Sequence, residues 1–253
     1  MYSSVLKHYL ETANLPKVLN ELGVPNAETL SLEIKHFKEK EAGKRDRIVL
    51  EYFGERGARR IVDSILNSLL SPPALRKKAK ILDVGAGSGF FTIRVAEKIW
   101  KHLPETIFYA MDTTPAMLLA LAKKTSRITP FLGIAENIAG SAKAARKHMP
   151  IPIKFDAVFS TLILHHCPDV ERVFKSLKHT LKNNGKAVII DLCKHSFTEF
   201  KHEMGDFHLG FDPEQIEKYA KETFSKVSVK KLPGICCSSS GRSAELFIAY
   251  LLP

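Results

Sequence analysis

Cysteine is scarce in this 253-residue sequence, with four in all and two of them adjacent (Cys236, Cys237). So few thiols do not make a disulfide framework at this size. No apolar run approaches the ~18 residues needed to cross a bilayer. Met1 to Leu10 lacks the apolar stretch of a signal peptide. A reduced, cytoplasmic protein without a membrane span is therefore expected. Acidic residues are also in deficit, 27 against 38 Lys and Arg, for a net charge of +11. Such an excess either draws an anionic partner such as RNA or keeps a lysine-rich surface solvated. No RNA-binding motif accompanies it, so runs such as Arg76-Lys77-Lys78-Ala79-Lys80 read as solvated faces and nucleic acid is not the favoured partner. Repeats and low-complexity linkers are missing too. With 45% apolar and 26% charged residues, the chain has the composition of an ordinary globular protein.

What is present falls into two textures. Residues 1–73 read as a helical extension or cap. Leu6, Leu10, Val18, Leu19 and Leu22 recur at helical spacing until Gly23-Val24-Pro25 breaks the pattern. After a charged stretch from Ser31 to Arg47, a second amphipathic pattern runs through Ile48, Tyr52, Ile61, Ile65, Leu66 and Leu69 to Ser71-Pro72-Pro73. From residue 74 to 253, short β-type runs alternate with helical patterns. Strands are predicted at 80–84, 106–111, 129–132, 155–161, 185–191, 227–232 and 245–251. Helices are predicted at 90–103, 115–124, 139–147, 170–181 and 214–224. This alternation predicts an α/β fold with a Rossmann-like, doubly wound, mostly parallel seven-stranded sheet. The closing strand makes an antiparallel edge pairing.

The most informative segment is Ile81-Leu82-Asp83-Val84-Gly85-Ala86-Gly87-Ser88-Gly89-Phe90, which joins the first strand to its helix. Glycines permit a tight turn and a close backbone approach to a ligand, and the amides opening the helix favour an electronegative group. A bare glycine pattern would equally suit a dinucleotide fold. Three details turn the reading away from that. Asp83 ends the strand where a carboxylate suits a cationic amino group better than a pyrophosphate. The spacing is Gly-Ala-Gly-Ser-Gly, not Gly-x-Gly-x-x-Gly. Asp112 ends the next strand, where it can accept from both hydroxyls of a ribose. Facing a ligand at a strand end, Asp112 should contribute little to stability.

Over residues 78–192 these motifs resemble the class I S-adenosylmethionine-dependent methyltransferases, in particular the small-molecule group of the ubiquinone/menaquinone-biosynthesis type ("methyltransferase type 11"). The resemblance implies S-adenosylmethionine as cofactor and no NAD binding. It implies that Asp83, Gly85, Ala86 and Gly87 hold the methionine portion. Asp112, with Thr113 beside it, would take the ribose. Met117 would pack against adenine, with Ala135 and Glu136 of Gly133-Ile134-Ala135-Glu136-Asn137 as further adenine contacts. Ser160, ending the fourth strand, would border the sulfonium. Tyr52 or a nearby Arg would reach the cofactor's carboxylate from the helical extension.

Methyl transfer by this class is an in-line displacement, in which alignment does most of the work and a base is needed only for an acceptor that must lose a proton. Leu162-Ile163-Leu164-His165-His166-Cys167-Pro168-Asp169 follows the fourth strand and resembles the histidine pair of the small-molecule group. His165 is the first catalytic candidate, and His166 reads as a loop histidine. A substrate-covering insert is expected at 195–213, with Phe200–Phe211 reading FKHEMGDFHLGF. From it His208 is the second catalytic candidate, with Glu203 and Asp206 as further candidates for substrate polar contacts or a base; Asp191 is expected to face the pocket. Asn/Asp-Pro-Pro-aromatic, common in base-amino methyltransferases, is replaced by Ser160-Thr161-Leu162-Ile163. A small-molecule acceptor is therefore expected. The alternatives are an RNA or protein acceptor recruited by the basic surface, a thiol/arsenite reaction at Cys167, Cys193, Cys236 and Cys237, and a non-catalytic cofactor-binding module. No metal ligands are assigned.

Overall fold

The computed structural model describes residues 4–24, 27, 28, 31, 42–199, 206–239 and 241–253. Strands β1 (Lys80–Val84), β2 (Ile107–Asp112), β3 (Ile128–Leu132), β4 (Phe155–Thr161), β5 (Leu181–Leu192), β6 (Lys226–Ser239) and β7 (Arg242–Leu252) form one sheet in the order β3-β2-β1-β4-β5-β7-β6. The first five strands are parallel. β7 runs antiparallel to both β5 and β6. The antiparallel pairing thus lies at one edge, with β7 inserted inside β6. A hairpin links these two strands, so β6 can pair with only one side of β7 and is left outermost.

Helices α1 (Ser4–Thr12), α2 (Leu15–Glu21), α3 (Arg45–Leu70), α4 (Phe90–His102), α5 (Pro115–Lys124), α6 (Ile138–Ala145), α7 (Val170–Thr180) and α8 (Pro213–Lys221) surround it. The period-2 alternation of the strands sorts their side chains between two cores. Ile81, Phe108, Phe159, Val188 and Ile190 pack with Ile61, Ile65 and Leu69 of α3 and Val95 and Ile99 of α4. Leu82, Met111, Val158 and Ile189 point the other way, onto Ala142 of α6, Phe174 and Leu177 of α7 and Ile216 of α8. Both faces are covered, which is why the central strands read as near-continuous apolar runs.

α3 is the continuous amphipathic segment expected from 48–69, except that Gly54 breaks it with φ 61°, ψ 169°. Its far end is tied down by Lys186, whose buried ammonium donates to the carbonyls of Leu69 (3.0 Å) and Ser71. Burial pushes that lysine down to about 8. The first helices sit by the carboxyl edge of the sheet. Leu6, Tyr9 and Leu10 join the α6–α8 core, the Tyr9 hydroxyl accepts from Leu132 N–H at 3.2 Å, and Leu15, Leu19 and Leu22 enclose Ile134.

Candidate functional site

Parallel register brings the carboxyl ends of β1, β2 and β4 side by side: Asp83 pairs across to Ala110 and to Phe159, and Val84 to Ser160. The chain leaves β1 through a turn whose Gly85 and Ala86 amides both donate to the Met111 carbonyl, at 2.8 and 3.0 Å. The next amide, Gly87 N–H, donates to Asp112 Oδ2 at 2.8 Å, and Thr114 N–H donates to Asp112 Oδ1 at 2.9 Å. Asp112 is therefore a tether of the glycine turn as well as a candidate ribose acceptor. That corrects the expectation that it adds little to stability: removing it leaves two turn amides without their acceptor.

The glycines of the turn do different work. At Gly85 an added Cβ would lie 2.0 Å from Ile163 Cγ2, so the loop after β4 is packed directly on the turn. At Gly87 a Cβ would meet nothing within 4 Å. Only there is the backbone open to an incoming group.

Asp83 is the electrostatic centre of this end. It is 2% exposed, and its Oδ2 accepts from the Thr92 hydroxyl at 2.6 Å while Oδ1 has no hydrogen-bond partner among the described residues. Burial pushes its carboxyl up to about 7; the Thr92 bond opposes that and the nearby Asp112 charge adds to it. An orphaned buried carboxylate oxygen is costly unless a donor meets it. S-adenosylmethionine fits these residues: a cationic amino group for Asp83, an open backbone at Gly87, and two acceptor oxygens at Asp112 with lone pairs to spare. Thr113 is half-buried beside Asp112, and Met117 is buried on the first turn of α5. Ala135 and Glu136 open a 3₁₀ turn after β3, where burial raises the Glu136 carboxyl. The Ser160 and Thr161 hydroxyls are buried at the end of β4 without hydrogen-bond partners among the described residues.

Sequence reading missed the roof of this turn. Asp46, in the first turn of α3, accepts from the Ser88 hydroxyl at 2.6 Å and from Lys124 Nζ at 2.7 and 2.8 Å, while Lys124 also donates to the Ser88 carbonyl at 2.8 Å. The charged composition of 42–47 was visible, but its partners lie 42 and 78 residues away. Tyr52 packs against the α3–α4 core. Arg45, one residue before Asp46, lies close enough to His165 for its charge to act on that ring.

On the far side of Ile163 the loop turns sharply, with Leu162 at φ 61°. His165 follows, 3% exposed, and its Nδ1 lies 2.5 Å from Asp191 Oδ1 at the end of β5. Asp191 also accepts from the amides of Leu164 and Leu192, each at 2.7 Å. With Asp191 fully buried and fixed in this way, Nδ1 carries the proton and Nε2 faces Asp206. Nε2 lies 3.5 Å from Asp206 Oδ1. Burial by itself would lower the His165 pKa, and the Arg45 charge acts in the same direction. The Asp191 charge and hydrogen bond, with the Asp206 charge, overcome both and raise it. Asp206 is itself pushed up to about 6, mainly by burial, against the His165 charge.

Asp206 reaches the site because the segment after residue 205 folds back. Phe207 and His208 N–H both donate to the His165 carbonyl (3.0 and 2.9 Å), and Phe211 bridges to Cys193. The His208 Nε2 lies 3.1 Å from the Cys167 carbonyl, to which it donates, and its ring lies tilted against Phe211, centroids 5.1 Å apart. His208 therefore ties the segment to the loop. Glu203 lies outside the described residues. Of the described cysteines, Cys167, Cys193 and Cys237 are buried and unbridged, and burial pushes the Cys193 thiol up to about 11.

A parallel sheet of this order with an open glycine turn at β1, an acidic residue ending β2 and a loop folded over both defines a nucleotide-type cofactor domain of the doubly wound class. Residues 82–187 match the family model described as "Methyltransferase domain", and they constitute a class I S-adenosylmethionine-dependent methyltransferase domain. A 130-residue stretch is 27% identical to the biotin biosynthesis bifunctional protein BioHC of Cellvibrio japonicus, which covers 51% of this chain and 23% of that protein. The chain thus spans less than a quarter of the length of that curated relative. Among solved structures, a SAM-dependent methyltransferase from Aquifex aeolicus superposes with TM-score 0.56 at 16% identity, over 85% of this chain and 100% of the other. The Haemonchus contortus phosphoethanolamine N-methyltransferase 2, in complex with phosphomonomethylethanolamine and S-adenosylhomocysteine, superposes with TM-score 0.60 at 16% identity, over 96% and 61%. At such identities these structures establish the fold. No described helix is long and apolar enough to cross a membrane.

Proposed function

We propose that the whole chain transfers the methyl group of S-adenosylmethionine to a small-molecule acceptor held against His165. The observation that carries this reading is the buried line Asp191–His165–Asp206, two residues from the Ile163 that packs on the cofactor turn. The fold-back of 206–211 covers that line, which favours a small acceptor over a polymer. S-adenosylmethionine supplies an electrophilic methyl on sulfur. Asp83 binds its amino group, Asp112 its ribose, and Arg45 is the extension's cation for a carboxylate at this end. Ser160 and Thr161 border the reacting centre with hydroxyls, and His165 Nε2 receives or orients the acceptor's proton while Asp191 holds the ring. His208 is a positioning residue, acting through the Cys167 carbonyl. The high Cys193 pKa runs against a thiol-capture reaction, which needs thiolate.

A second reading, an RNA or protein acceptor, draws on one observation. A groove of about 770 Å³ beside α3 and α4 carries Arg59, Arg94, Lys98, Lys101, Lys124 and Arg127 against Glu55 and Glu97, a basic excess. Incubation with methyl-labelled cofactor and separated metabolite, RNA and protein fractions distinguishes the two. Label in the metabolite fraction is the expected result; label confined to RNA or protein transfers the proposal to the basic groove.

Two binding predictions follow from the turn. Asp112→Ala weakens S-adenosylhomocysteine binding by roughly 1–3 kcal/mol, the usual cost of removing a charged hydrogen-bond partner. It also lowers the melting temperature, because the Gly87 and Thr114 amides lose their acceptor. Titration calorimetry and a thermal melt read both effects, and unchanged affinity would make Asp112 a tether only. Asp83, titrating near 7, is partly protonated in the free protein at neutral pH, and an ammonium group beside it favours the carboxylate. Binding near pH 6 therefore releases protons, and affinity falls as pH drops below 7. Calorimetry in two buffers of different ionisation enthalpy measures that release. It should vanish in Asp83→Asn, and proton-neutral binding by the unaltered protein would exclude Asp83 as the partner.

A further inference from the structure

Three ligand-type side chains converge where the sequence suggested none: one nitrogen of His165, one of His166 and one carboxylate oxygen of Asp206 all lie within 4.8 Å of one another. Donor atoms on a common ion at ordinary imidazole and carboxylate distances stand about 3–4 Å apart, and His165 Nε2 to Asp206 Oδ1 is already 3.5 Å. The two imidazole rings are 4.1 Å apart, centroid to centroid.

An independent observation points to something held there. Asp206 is 5% exposed, and among the described residues neither of its carboxylate oxygens has a hydrogen-bond partner, its charge contact being His165 Nε2 at 3.5 Å, although buried polar groups are otherwise almost always satisfied. The support behind the cluster is of the kind metal sites use. Asp191 fixes His165 through Nδ1 at 2.5 Å, which sets the ring's tautomer and aims Nε2 at Asp206. The charge balance also favours a cation. Among the described residues whose charges act on His165, Asp191 and Asp206 are two carboxylates against the Arg45 guanidinium.

We propose that His165, His166 and Asp206 bind one divalent first-row transition ion, with Asp191 as the residue that orients His165. Two imidazoles and a carboxylate select zinc, iron(II), cobalt(II) or manganese(II) over calcium and magnesium, which prefer all-oxygen sites. Three protein ligands leave positions open, as in sites that act on a substrate rather than sites that only brace a fold. In the loaded protein the ion would take Nε2, so His165 would serve as a ligand in place of its proton-handling role, and an acceptor bound to the ion would release its proton to solvent more readily through the ion's charge. The inference shares its residues with the proposed acceptor site, but it is read without turnover, so the failure of either leaves the other standing.

The test is calorimetry of the chelator-treated chain with Zn²⁺ and Co²⁺, followed by proton NMR of the Co²⁺ form. One ion per chain is expected. Two paramagnetically shifted imidazole systems should appear, one with an exchangeable Nδ1 proton held by Asp191. His166→Ala and Asp206→Asn should each weaken Co²⁺ binding at least tenfold. Asp191→Asn should weaken it about 10–100-fold, as loss of an orienting carboxylate does elsewhere. S-adenosylhomocysteine affinity, unchanged in all three, reports that the variants are folded. The spectrum of the unaltered protein keeps the proposal testable if they are not. No stoichiometric binding, a Co²⁺ spectrum with no shifted imidazoles, or undiminished binding in the folded His166→Ala/Asp206→Asn double variant overturns it.

Discussion

His165→Ala lowers the methyl-transfer rate by ~10²–10⁴-fold, the range set by loss of a group that handles the acceptor's proton, while S-adenosylhomocysteine affinity stays nearly constant. The split follows from geometry. His165 touches Asp191, Asp206 and the carbonyl-anchored 206–208 segment, whereas the glycine turn proposed to meet the cofactor is held by Met111, Asp112 and Ile163. A loss in kcat without a loss in cofactor binding marks an interaction made at the acceptor. His208→Ala should cost less and raise the acceptor KM with it, since that ring acts by holding the covering segment on the Cys167 carbonyl. Steady-state kinetics on the acceptor found by the labelling experiment checks both, and turnover by His165→Ala at the unaltered rate would reduce the ring to loop structure.

The second large effect falls on the fold. Gly85→Ala places a methyl 2.0 Å from Ile163 Cγ2 and 2.8 Å from Ile163 Cβ, on a residue whose φ is +77°. Overpacking costs about 1–3 kcal/mol, and a left-handed backbone for a residue with a Cβ adds about 1–2 kcal/mol. Taken as about 3 kcal/mol together, this lowers the melting temperature of a chain of this size by about 6–12 °C. Ile163→Ala in the Gly85→Ala background should recover part of the loss by removing the nearer clash, though the Cβ contact remains. By contrast, Gly87→Ala has nothing within 4 Å to meet; it should melt closer to the unaltered protein and show its loss in cofactor affinity. Equal melting temperatures for the two variants would contradict the contact between Ile163 and the turn.

The two textures of the chain were legible before any coordinates, because the signals are local. β1 and β4 lie at the residues their apolar runs predict, and α5 begins and ends where Pro115 and Lys124 suggest. Strands with both faces buried cannot hide their composition. Asp83, the glycine turn and Asp112 were likewise readable, since a strand, a turn and a helix start within ten residues of one another need no distant partner to be recognised.

The structure decided whatever depended on sequence-distant residues meeting. β5 runs beside β4 in parallel, so Asp191 arrives at the ring of His165 from 26 positions away. The bridge from Cys193 to Phe211 folds the following segment back, and Asp206 comes to face the same ring from the other side. Asp46 reaches Ser88 and Lys124 only because α3 lies across the sheet face. Nor was the inner place of β7 visible, because a hairpin's two strands look alike until one of them pairs with β5. By itself the sequence determined the class of domain and the place of the glycine turn between β1 and its helix, because glycines and strand-end carboxylates are local signals. The acceptor end was left to tertiary structure, because burial, charge pairing and tautomer are properties of neighbours, and those neighbours come from three separate parts of the chain.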